Sequence, residues 1–109
     1  MDNLPAVVIA DADTASLRRL AREACAAGFT IAAAASEGLE ALAAVRREKP
    51  SVLVCSLLLP SLDGLALVRL ARDACPGLRT MLICGFLSRD VYEECTRLGV
   101  DCVLTAPLA

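Results

Sequence analysis

Val52-Leu53-Val54-Cys55-Ser56-Leu57-Leu58-Leu59-Pro60-Ser61-Leu62-Asp63-Gly64 is the stretch on which the fold turns. Its first four residues are apolar without alternation, the pattern of a strand covered on both faces. Asp63-Gly64 then opens a helical pattern that buries Leu67, Leu70, Ala71 and Ala74 and turns Arg69, Arg72 and Asp73 outward. Pro76-Gly77 stops it. A buried strand handing over to an amphipathic helix is the unit from which parallel sheets are built.

The same unit recurs on either side. Short apolar runs lie at Ala6–Ala10 and Phe29–Ala33 before it, and at Met81–Cys84 and Cys102–Leu104 after it. Leu17, Leu20, Ala21 and Ala24 follow helical spacing, with Arg18, Arg19, Arg22 and Glu23 facing away. Ser36 is placed to cap a helix that buries Leu39, Leu42 and Ala43. That helix closes on Arg46-Arg47-Glu48-Lys49, whose cations suit a helix C-terminus, and Pro50 ends it. Ser88 caps a last helix with Val91, Cys95 and Leu98 on one face and Gly99 at its end. Five strands with four helices between them predict an α/β fold, a doubly wound parallel sheet. The 109 residues fit one domain, 1–109, without repeats or linkers.

Composition narrows the chemistry. With no histidine, the usual general base and the Ser-His and Cys-His pairs are unavailable. Cys25, Cys55, Cys75, Cys84, Cys95 and Cys102 form no Cys-x-x-Cys pair, which argues against zinc-ribbon and thioredoxin-type sites. Each sits in or beside an apolar run, so all six are expected to behave as small buried hydrophobes. Eleven Lys and Arg against thirteen Asp and Glu, scattered along helices, give no electrostatic reason for nucleic-acid binding by this segment. No apolar run approaches the roughly 18 residues of a membrane span, and Met1-Asp2-Asn3-Leu4-Pro5 lacks the basic start of a signal peptide. A cytoplasmic protein is expected.

In such a sheet, chemistry gathers at the carboxyl ends of the strands. Those ends carry Asp11-Ala12-Asp13, Ser56, Cys84-Gly85 and Ala106-Pro107. No glycine-rich phosphate-binding run follows the first strand, so a dinucleotide or P-loop site is unsupported.

From Ala6 to Leu108 the chain resembles a response-regulator receiver domain. The resemblance rests on Val52 to Gly64, with its proline and Asp-Gly, on Arg18-Arg19-Leu20, on Gly28-Phe29, on Gly99 and on Pro107. It implies a flavodoxin-like sheet of order 2-1-3-4-5 and phosphoryl transfer to an aspartate ending strand 3, assisted by Mg²⁺ on acidic residues after strand 1. A hydroxyl after strand 4 and a lysine after strand 5 would contact the phosphoryl group.

On this sequence those positions are Ser56 for the acceptor, Ala12 beside Asp11 for the acidic pair, Cys84 for the hydroxyl and Ala106 for the lysine. The aromatic position within strand 5 is Val103, and Asp13, one residue beyond the acidic pair, is expected to cap the first helix. The expectation is therefore a pseudo-receiver: no enzyme, no metal, no cofactor, acting by binding a protein partner or an attached output domain that binds DNA or RNA. The alternative is a redox or small-ligand sensor using the vacated site with Cys55, Cys84 and Cys102. A receiver's fifth helix would follow Pro107 and is absent from this chain, which predicts an uncovered sheet face near strands 1 and 5 and a homodimer. Val91, Cys95, Val103 and Leu108 are candidates for its pairing surface.

Overall fold

In the computed structural model, which describes residues 4–105, the apolar runs become β1 (Ala6–Ala10), β2 (Thr30–Ala35), β3 (Val52–Ser56), β4 (Arg79–Cys84) and β5 (Cys102–Thr105). They pair in parallel in the order β2-β1-β3-β4-β5. Between them run α1 (Thr14–Ala26), α2 (Gly38–Glu48), α3 (Gly64–Ala74) and α4 (Arg89–Leu98). The flavodoxin-like receiver fold expected from the sequence is the fold observed.

Right-handed crossovers decide which face each helix covers. The chain steps from β1 to β2 in one direction and from β2 through β5 in the other, so α1 lies on one face and α2, α3 and α4 on the opposite one. Strand residues divide accordingly. Val8, Ala10, Leu53, Cys55 and Leu82 are sealed in a core with Ala41, Leu42, Val45, Leu67, Val68, Ala71 and Cys95 from α2, α3 and α4. On the other face Val7 and Ile9 lie near Leu20, Ala24 and Phe29, but Val52, Val54, Met81 and Ile83 are only half-buried and Leu104 is exposed. A groove of about 240 Å³ runs between them.

Several local expectations shift. β2 begins at Thr30 rather than Phe29 and reaches Ala35, because Thr30 N donates to Pro5 O and brings a polar residue into the ladder. β4 likewise starts at Arg79, whose N donates to Ser51 O. The cap of α2 is Glu37, not Ser36: its carboxylate accepts from Glu40 N. The buried stripe of α2 is Gly38, Ala41, Leu42, Ala44 and Val45, while Leu39 is 54% exposed and Ala43 is also exposed. Gly38 fixes that rotation. A Cβ there would stand 2.0 Å from Leu62 O, so this side of the helix is pressed against the β3–α3 loop. In α3, Leu67, Val68 and Ala71 are sealed, with Leu70 and Ala74 half-buried at the margin. Cys25 is exposed on α1, contrary to the buried reading of all six cysteines, because α1 seals none of its residues.

Candidate functional site

The strand register brings the carboxyl-edge residues side by side. Ala10 pairs with Cys55, Ser56 with Ile83 and Cys84 with Thr105, so Asp11, Ser56 and Cys84 end neighbouring strands on one edge. Ala106 and Leu108 lie outside the described residues.

The acidic loop after β1 is occupied with its own architecture. Asp11 N donates to Ala35 O at 3.0 Å, and Asp11 Oδ1 accepts from Asp13 N at 2.9 Å. Asp13 is extended, and its Oδ2 accepts from Ser16 N at 3.0 Å and from Ser16 Oγ at 2.7 Å. These bonds stabilise the charged form, led by the Ser16 hydroxyl, and hold the Asp13 carboxyl below its ordinary range. Asp13 is thus the helix cap the sequence suggested. Ala12 offers no donor atom between the two. A Mg²⁺ ion needs an oxygen-rich octahedral shell anchored by carboxylates. This loop does not fit one: one carboxylate braces the turn, the other caps α1, and the end of β3 beside them carries Ser56 rather than an acid. Among the described residues, no three His, Cys, Asp or Glu side chains cluster as metal ligands.

Ser56 stands half-buried at the end of β3. The chain behind it is tightly folded back: Leu57 N donates to Ile83 O, Gly64 N donates to Leu57 O, and Asp63 caps α3 through Ala66 N. A Cβ at residue 64 would lie 2.4 Å from Ser56 O, so glycine is required for this close approach. Ser61, at φ +66, tethers the loop sideways, donating from Oγ to Glu37 Oε1 and accepting from Leu39 N, both at 3.0 Å.

Cys84 turns inward, its Sγ within 3.9 Å of Leu104 O, and burial pushes its thiol pKa up. Cys55 points toward Gly64 O, and burial, reinforced by Cys95 and Asp63, pushes its thiol up to about 12. Neither thiol is primed as a nucleophile, since the reactive form is the thiolate.

Residues 7–109 match the model of the response regulator receiver domain. The chain belongs to that family. Over 60 residues, 55% of this chain, it is 35% identical to the Probable transcriptional regulatory protein TcrX of Mycobacterium tuberculosis, and the match spans 24% of that relative's length. The REC domain of AraT, a response regulator from Geobacillus stearothermophilus, superposes with a TM-score of 0.82 at 33% identity, over 95% of this chain and 82% of that one. A CheY-like receiver domain protein from Methanospirillum hungatei shares the fold at a TM-score of 0.89 and 23% identity, over 98% and 85% of the two chains.

This receiver departs from the expected pairing surface in one clear respect. Cys95 is 2% exposed and belongs to the core beneath α4, so it cannot contribute to a surface. Its i, i+4 relation to Val91 faces the sheet, and Val91 and Val103 are themselves half-buried against that core. Sequence reading also missed two residues at the receiver's carboxyl edge. Leu58 and Phe86 flank Ser56 and Cys84, and each is 80% exposed. The signal was present in Leu57-Leu58-Leu59, an apolar run continuing past the strand end, of which only Leu59 is buried.

Proposed function

We propose that this receiver domain is a phosphorylation-independent interaction module, a pseudo-receiver acting in the cytoplasm without a catalytic step of its own. The observation that carries the reading is the joint loss at one edge. Ser56, Ala12 and Cys84 stand there where acceptor, acid and hydroxyl would be, the lysine's position in the sequence is Ala106, and the surviving Asp11 and Asp13 are held in turn and cap bonds. A serine ester there would lack the groups that read a phosphoryl signal. Raised thiols at Cys55 and Cys84 weigh against the redox alternative.

The domain then regulates by contact, as the N-terminal part of a longer regulator with an attached output domain or through a separate protein. TcrX's name as a probable transcriptional regulatory protein supports an output in transcriptional control. Homodimerisation belongs to the same reading. The half-covered face of Val52, Val54, Met81, Ile83 and Leu104 is the apolar surface a second copy would cover, since large apolar patches seldom stay bare.

Thermal melts with millimolar Mg²⁺ and beryllium fluoride test the central claim. No shift is expected, whereas a ligand at 100 times its dissociation constant would add about 2.7 kcal/mol. Ser56→Asp alone should remain unresponsive, because Ala106 supplies no cation. A clear upward shift in the unaltered protein overturns the pseudo-receiver reading.

A further inference from the structure

We propose that the vacated carboxyl edge is a docking cup for a protein segment presenting one aliphatic or aromatic side chain between basic residues. Ser56, Leu57, Leu58, Cys84, Gly85 and Phe86 line a concavity of about 340 Å³ there. Leu58 and Phe86, the most exposed large apolar side chains among the described residues, form its two walls. Apolar groups held in water beside a concave apolar floor are the usual mark of a binding site. The cup is also preformed. Leu57 N is bonded to Ile83 O and Leu57 O to Gly64 N, both at 2.8 Å, so a bound side chain would not have to order the floor first.

Charge selects the occupant. The loops and first helical turns of this edge carry Asp11, Asp13, Glu37, Glu40, Asp63 and Asp90. Arg89 is the cation there among the described residues, and it is already 3.6 Å from Glu93. An apolar cup on an edge whose loops carry this excess of carboxylates attracts lysine and arginine flanking an apolar anchor. It opposes an anionic membrane. It also opposes a second copy docked edge to edge, which would set these carboxylates against their own counterparts. The cup is therefore distinct from the sheet face assigned above to self-association. The inference rests on Ser56 being a retired acceptor, because a phosphoryl group would fill the same space.

Selection from a random-peptide display library on the 109-residue chain, without Mg²⁺ or phosphoryl donor, tests it. Enriched peptides should carry one Leu, Ile, Met, Phe or Trp between Lys or Arg residues. The strongest synthetic peptide, followed by fluorescence polarisation, should bind more weakly at high salt. The amides of residues 56–58 and 84–86 should shift in its presence. Leu58→Ser with Phe86→Ser should weaken binding at least tenfold with an unchanged melting temperature, as expected for exposed positions. Asp90→Asn, which leaves the apolar walls intact, should weaken it two- to threefold and flatten the salt dependence. Peptides without an apolar anchor, acidic peptides, no enrichment, or undiminished binding by the double variant would each overturn the proposal. So would Phe86→Ser converting a dimer to a monomer in light scattering, since a second copy would then hold the cup. Peptide binding together with a beryllium fluoride shift would keep the cup and remove phosphorylation independence; the reverse pair of results would do the opposite.

Discussion

On one face of the sheet Val8, Leu53, Cys55 and Leu82 are sealed beneath α2, α3 and α4; on the other, Val54, Met81 and Ile83 stand half-buried on the side that α1 covers. Both sets come from the same strands, alternating residue by residue. The apolar runs state that both faces want cover, and they are silent about how much cover each receives. Among the described residues connectivity decides that: three of the four crossovers go one way, so one face gets α2, α3 and α4 and the other α1, which itself has no sealed residue.

Neighbouring substitutions on β3 give the largest test of this contrast. Leu53→Ala should cost about 2–5 kcal/mol in urea unfolding, the range for emptying a sealed core site. Val54→Ala, one residue on and facing the open side, should cost roughly 1 kcal/mol. On the same open face, Ile83→Lys should abolish self-association in light scattering with little loss of stability. Equal costs at 53 and 54 would mean that the open face is covered as fully as the other. A dimer that survives Ile83→Lys would move the pairing surface elsewhere.

Thiol chemistry should divide along the same line. Cys55 lies in the sealed core with its pKa raised to about 12, whereas Cys25 is exposed on the helix of the open face. At pH 8 a thiol reagent should label Cys25 quickly and reach Cys55, Cys84 and Cys95 only as the protein unfolds. Rapid, reductant-reversible labelling of Cys84 with a change of assembly would instead favour redox sensing.

The strands and three of the four caps were legible in the sequence because unbroken apolar runs, Asp13, Asp63, Ser88 and Gly99 are strong local signals, whereas the sheet order came only from the resemblance to receiver domains. The rotation of α2 was not. Its alanines make Leu39-Leu42-Ala43 and Ala41-Leu42-Ala44-Val45 almost equally apolar stripes. The choice between them is made by a tertiary contact, Gly38 on Leu62, that no local pattern records. At the edge, the sequence placed Ser56, Asp11 and Cys84 correctly and gave Asp13 its capping role, since these follow from strand ends. It did not reveal the cup. Leu58 and Phe86 are ordinary apolar letters, and their exposure depends on how two loops leave the sheet.

The smallest expected effect concerns the start of α1, the one helix on the open face among the described residues. Asp13 caps it through Ser16, and the two bonds from Ser16, aided by Arg19, hold the carboxyl pKa below its unfolded value. A depressed pKa fixes the sign: the charged cap stabilises the fold above the unfolded pKa, and this contribution fades as pH falls through the folded one. The window lies on the acid side of the ordinary carboxylate range. Because the carboxylate is exposed, solvent screening keeps the effect small. Asp13→Asn retains an oxygen acceptor but no charge, so it should be slightly less stable than the parent at pH 7. The two urea midpoints should then converge as pH falls toward 3. A gap that widens in acid would contradict the capping account. So would a gap at pH 7 that grows when Mg²⁺ is added, for then Asp13 would be serving a metal rather than the first turn of α1.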